Sequence, residues 1–193
     1  MHMTMNPILT QSRFTQAACL ASVAMMALFT PAAHAGWVDD AVDEVTTIIK
    51  TGDEQLYVSG YAYHGRKTYT AAKIATLNEH AWGLGYAKTL RSADAHRGVF
   101  SLIISDSHRQ LQPMIGYTYE KPYYFNADWF IAGGLAPMIV QRQDMVKKFP
   151  FPAIFPLLSI GNQKVEAKFV YIPRLSKNLG NGDVLYAFAS YKF

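Results

Sequence analysis

Residues 103–113 read IISDSHRQLQP. An apolar run stops at Ile104, and Ser105, Asp106, Ser107, His108 and Arg109 follow without a break. A hydroxyl, a carboxylate and an imidazole are the groups that nucleophilic acyl chemistry requires: an attacking oxygen, a proton acceptor, and a charge that steadies the acceptor. The same residue types also build turns, because Asp and Ser side chains hydrogen-bond the nearby backbone. Taken alone, the stretch leaves a turn and a nucleophile at the rim of an apolar region both open.

The elements that must hold these groups follow from the rest of the chain. Half of the 193 residues are hydrophobic and only 17% are charged. With a net charge of +4 and no dense basic cluster, a nucleic-acid surface is excluded. Arg13, the apolar run Ala17–Phe29 and the small-x-small triplet Ala33-His34-Ala35 have the form of a secretory signal covering residues 1–35. A retained anchor is the alternative, although the run is shorter than the ~18 residues of a spanning helix. Cys19, the only cysteine, lies inside that segment and does not sit where lipidation would need it. The mature chain therefore has neither disulfide nor thiolate chemistry.

Trp37–Lys50 has apolar residues at helical spacing, and residues 36–52 are expected to form an amphipathic helix. Its acids near the start and Lys50 at the end suit the helix dipole. Such a helix either lies in a membrane interface or packs as an ordinary helix. From residue 53 onward the chain reads as strands near 56–64, 81–91, 97–105, 111–120, 126–140, 153–161, 164–173 and 183–193. Breakers include Arg91-Ser92-Ala93-Asp94, Lys121-Pro122 and Gly161-Asn162-Gln163. Eight strands, the last ending on the aromatic Phe193, predict an all-β, antiparallel transmembrane barrel over 53–193. Val99–Ile104 and Ala153–Leu158 hardly alternate. One face of such a strand meets lipid, so the other is expected to meet an apolar interior, either a plug of side chains or a pocket. With both termini at the periplasmic side, His64 at the end of the first strand meets Asp106 and Ser107 at the outer rim.

The stretches AYHGR (62–66), AWGLGYAKTL (81–90), SDSHRQLQPMIGYTY (105–119), PFPAIFPLLSIG (150–161) and KFVYIPRLSKNLGNGDVLYAF (168–188) resemble the outer-membrane lipid A palmitoyltransferase family, PagP. The resemblance implies an eight-stranded barrel behind an amphipathic helix. It also implies transfer of a fatty acyl chain from a glycerophospholipid to lipid A in the outer leaflet, with resistance to cationic antimicrobial peptides. The family's functional residues fall on His64 as general base, Asp106 as orienting or stabilising carboxylate, and Ser107 as the hydroxyl. His108 is read as a rim residue. Arg142 matches a family arginine near the outer end of the fifth strand; it either contacts lipid A phosphate or is a solvated loop charge. Lys147, Lys148 and Arg174 add positive charge to outward loops.

Pro156 and Pro173 match the prolines of a lateral gate, where missing ladder donors weaken a seam between strands. The prolines of a second family seam fall on Ser59 and Ala81, so a gate there is built differently. Thr118 takes the place of a small residue that rules acyl length, which predicts a preferred chain of palmitate or shorter. The expected partners are a phospholipid acyl donor, the lipid A acceptor and outer-membrane lipids. The chain is expected to be a monomer or weak homodimer in the outer membrane, with no nucleic acid, cofactor or metal. A non-enzymatic barrel acting as an adhesion or resistance factor is the competing reading, and a soluble lipocalin-type barrel is a third.

Overall fold

The structure is a computed structural model that describes residues 35–144, 146–174 and 182–193. All but the last residue of the expected signal segment lies outside these residues. Helix α1 (Ala35–Thr51) is followed by strands β1 (Asp53–His64), β2 (Gly83–Arg91), β3 (His96–Ser105), β4 (Leu111–Tyr124), β5 (Phe130–Val140), β6 (Phe151–Gly161), β7 (Val165–Ile172) and β8 (Val184–Lys192). One helical turn, α2 (Ala71–Ile74), lies in the long loop between β1 and β2. The strands pair antiparallel in sequence order, and β8 pairs with β1 to close the barrel. Closure removes the outer edges of the sheet, which is what lets strands cross a membrane. No helix among the described residues is long and apolar enough to cross one.

The barrel has a long-loop end and a short-turn end. Residues 65–82, 106–110, 141–150 and 173–183 connect strands at the first; 92–95, 125–129 and 162–164 connect them at the second. Outward residues such as Leu84, Ile103, Leu135, Ile154 and Leu158 form an exposed apolar band. Tyr123, Phe125, Trp129 and Phe193 ring it at the short-turn end, and Trp82 and Phe149 at the other. An apolar band between aromatic girdles is the surface a bilayer selects.

α1 packs on the outside of this wall. Val45 and Ile48 bury against Val99 of β3, with Leu90, Ile115 and Tyr117 around them. This explains why Val99, which points outward, is apolar and buried. Glu44 receives the Tyr117 hydroxyl and pairs with Arg97 at 3.4 Å. Lys50 lies in the last turn of the helix, as the dipole reading expects.

The expectation of an apolar interior holds for half the barrel. Near the long loops, Tyr57, Ala62, Phe100, Leu102, Ile104, Met138, Leu157, Val170 and Tyr186 share one buried cluster. Toward the short turns the interior is charged. Lys168 bonds Glu120 at 2.8 Å, Glu166 at 2.9 Å and Ser159 at 2.8 Å, and Arg91 pairs with Glu166. Four buried charges, two of each sign, cancel there. The Lys121-Pro122 break is also corrected: β4 runs on to Tyr124, with Pro122 opposite Ala132, and the turn comes at 125–129. Asn126 Oδ1 accepts the Asp128 and Trp129 N–H groups at 2.9 Å and fixes that turn.

Two seams interrupt the wall near the long loops. β5 and β6 pair along their whole length, from Phe130↔Gly161 to Val140↔Phe151, whereas β6 and β7 pair only from Gly161↔Glu166 to Leu157↔Val170. Pro156 stands where that ladder stops, and Pro173 follows the end of β7. β1 and β2 pair only up to Ser59↔Gly83. There the Ser59 hydroxyl donates to the Ala81 carbonyl, and Ala62 N–H donates to Glu79 O at 2.9 Å. The second seam is thus laced by a side chain at the two positions where the resemblance places prolines.

Candidate active site

Ser107 and His64 meet at the long-loop end, above the apolar half of the interior. His64 closes β1 with its ring turned inward and is 1% exposed. Ser107 is the second residue of the short β3–β4 loop. Its Oγ lies 2.8 Å from His64 Nε2. That loop is tied by Asp106, whose Oδ1 accepts the His108 and Gln110 N–H groups, both at 2.8 Å. Arg109 takes a positive φ of 61° to complete the turn. Both answers to the opening stretch are therefore present: it is a turn, and the turn presents a hydroxyl to an imidazole.

The carboxylate beside His64 is not that of Asp106. Glu79 Oε1 stands 3.3 Å from His64 Nδ1 and accepts the His64 backbone N–H at 3.0 Å. Arg66 grips both Glu79 oxygens, at 2.7 and 2.8 Å, and also donates to the His64 carbonyl at 2.8 Å. Tyr61 donates to the second Glu79 oxygen at 3.1 Å. The Arg66 bonds above all, then those from His64 N–H and Tyr61, hold the Glu79 carboxyl well below the usual carboxylate range against the opposing effect of burial. Asp106 is buried, and its Oδ2 has no hydrogen-bond partner among the described residues. Asn78, next to Glu79, ties the two loops together: its N–H donates to Ser107 O at 2.8 Å and its side-chain amide to Asp106 O at 3.3 Å. Sequence reasoning missed Asn78 and Glu79. One signal was available: Glu79 is the only acid in the otherwise basic loop 65–82.

The remaining predicted residues fall at different depths. Arg142 opens the β5–β6 loop and binds Asp144 through two 2.9 Å bonds. Burial opposes its charge, but Asp144 outweighs that and raises the Arg142 pKa, while Arg142 holds Asp144 low. Asp106, His108 and Asp144 place potential ligand atoms within 4.8 Å of one another. Arg142 already answers the charge of Asp144 there, so the cluster is a poor fit for a cation. Thr118 points inward on β4, the last uncharged inward position before Glu120. A methyl group at Gly98 across the ladder would stand 2.8 Å from Thr118 Oγ1, so the threonine fills space the glycine leaves.

The barrel agrees with the sequence comparisons. Residues 44–190 match the family model "Antimicrobial peptide resistance and lipid A acylation protein PagP". The chain belongs to the PagP family. A lipid A acyltransferase PagP of Bordetella pertussis is 34% identical over 158 residues, covering 81% of this chain and 85% of that protein. One from Legionella pneumophila is 35% identical over 136 residues, covering 70% and 71%. One from Methylobacillus flagellatus is 29% identical over 151 residues, covering 78% and 80%.

Proposed function

We propose that this protein uses Ser107 and His64 to move a fatty acyl chain from a glycerophospholipid to lipid A. Acyl transfer to lipid A, with resistance to antimicrobial peptides, is the activity of the family to which it belongs. The observation that carries the assignment is the 2.8 Å approach of Ser107 Oγ to His64 Nε2 at the mouth of the apolar half of the interior. The neutral imidazole takes the Ser107 proton as Oγ attacks the ester carbonyl of the phospholipid. The bond to the glycerol oxygen then breaks, the imidazolium returns the proton to that oxygen, and the acyl group remains on Ser107. A lipid A hydroxyl repeats the exchange, releasing Ser107. The acyl chain is held by the apolar half, with Thr118 at its floor.

The family is an outer-membrane one. Short turns face the periplasm in bacterial barrels, which points the long-loop end and its site outward. The donor enters from the outer leaflet through the seam at Pro156 and Pro173, and Arg142 meets a lipid A phosphate once it exchanges Asp144 for it.

Lipid A from a host lacking the activity gains one acyl chain by mass spectrometry when the wild-type protein is expressed. With Ser107→Ala or His64→Ala it gains none, while both variants still show heat-modifiable folding. Normal transfer by either folded variant would overturn the assignment.

A further inference from the structure

We infer that Glu79 positions His64 for catalysis: its carboxylate accepts the Nδ1–H, leaving the Nε2 lone pair facing Ser107. The inference deepens the acyl-transfer role proposed for Ser107 and His64 and rests on it. Imidazole has two nitrogens, and which one carries the proton is set by the bond the other makes. Here Nε2 has Ser107 at 2.8 Å and Nδ1 has Glu79 Oε1 at 3.3 Å. The same oxygen also holds the backbone of residue 64 at 3.0 Å, so ring and main chain are fixed to one atom. Glu79 itself is held by the Arg66 fork and by Tyr61. An acid with this many donors stays ionised and does not wander. Asp106 cannot do this work as placed: its Oδ1 is committed to two backbone N–H groups, and no hydrogen bond joins it to His64 among the described residues.

During attack the Ser107 proton moves to Nε2 as the Oγ–C bond forms. The Nδ1–H stays on His64, and Glu79 remains a carboxylate facing the imidazolium. The Nε2 proton then leaves with the glycerol oxygen as the ester bond breaks. Glu79 therefore touches no substrate and acts through His64. The other groups around the ring are Tyr69, edge-on at 5.2 Å, Arg66, Asp106 beside Ser107, and Asp183, whose carbonyl accepts Gly65 N–H at 2.9 Å. Arg142 lies beyond them, near Asp106 and Tyr69.

The test uses the full-length protein in detergent micelles with a phospholipid donor and a lipid A acceptor. Glu79→Gln is expected to lower kcat on the order of 10²-fold or more with little change in KM. Its acid limb should move to lower pH, because the imidazolium loses a facing negative charge. Glu79→Asp should restore the limb and part of the rate. Arg66→Met controls for a loosened loop; by removing a positive charge it should move the limb the opposite way. Nitrogen-15 imidazole spectra should show the Nδ1–H form of His64 in the wild type and its loss of preference in Glu79→Gln, a readout independent of turnover. Failure of the wild type to acylate lipid A defeats the acyl-transfer reading itself, and normal transfer by Ser107→Ala defeats the assignment of Ser107 on which this inference rests. Inactive Ser107→Ala beside Glu79→Gln with wild-type kcat and acid limb overturns the role of Glu79 alone. Equal rate losses in Glu79→Gln and Arg66→Met with unmoved limbs make Glu79 a loop anchor and overturn it too.

Discussion

Two carboxylates stand near Ser107, and their bonds differ in kind. Asp106 fixes the backbone that presents Ser107, whereas Glu79 faces the imidazole. Asp106 was legible because it adjoins the serine and makes a local turn. Glu79 was not, because it sits 15 residues from His64 in a loop without periodicity, and only folding of that loop over the strand end joins them. The same limit applies at the other end of the apolar half. The sequence placed Thr118 at the floor through the family resemblance, but not the glycine opposite, which gives its side chain room. Thr118→Gly removes three heavy atoms from that floor. It is expected to lengthen the preferred acyl chain by about one or two methylenes, since buried methylenes are selected by the space available. The mass increment on lipid A reads this directly; an unchanged chain-length distribution would remove Thr118 from the ruler.

At the scale of elements, apolar and aromatic runs between breakers marked every strand to within a few residues. Patterning failed where a tertiary contact replaced the usual partner. Pro122 was read as a break, yet the ladder carries β4 past it. Val99 gave no alternation because α1 covers it from outside. The seam between β6 and β7 was foreseen from Pro156, and the register supplies its physics. Asn162 N–H donates to Val165 O across the β6–β7 turn, and donors alternate sides along a strand, so residue 156 also directs its nitrogen toward β7. Proline has no hydrogen to give there. Pro156→Ala is expected to extend the ladder, protect the new amide from exchange with solvent, and slow acyl transfer several-fold by obstructing lipid entry. A protected amide with an unchanged rate of transfer would dissociate this seam from access to the site.

Across the whole molecule, the barrel is two compartments stacked in one wall. The division was illegible in the sequence because its charged half is assembled from β2, β4 and β7, which become neighbours around one interior only when β8 closes on β1. No single strand signals the cluster, and the apolar stretches suggested an apolar interior. Closure instead brings Arg91, Glu120, Glu166 and Lys168 together, each answered by an opposite charge. This layer lies below Thr118 on β4, and in the proposed reading it would give the acyl chain a polar floor. Its stability depends on completeness, because removing one member strands its partners without water. Lys168→Met leaves Glu120 with only the Ser159 hydroxyl among its described side-chain hydrogen-bond partners, and Glu166 with only Arg91. That substitution is expected to destabilise the barrel by about 3–5 kcal/mol, measured by urea unfolding in detergent. Adding Glu120→Gln should recover much of the loss, because the amide needs no counter-charge. If Thr118 sets the acyl length as proposed, that length should stay the same in both variants, since Thr118 lies above the charged layer. A Lys168→Met barrel as stable as the wild type would mean that the interior charges are solvated, and a shifted acyl length would mean that the chain reaches among them.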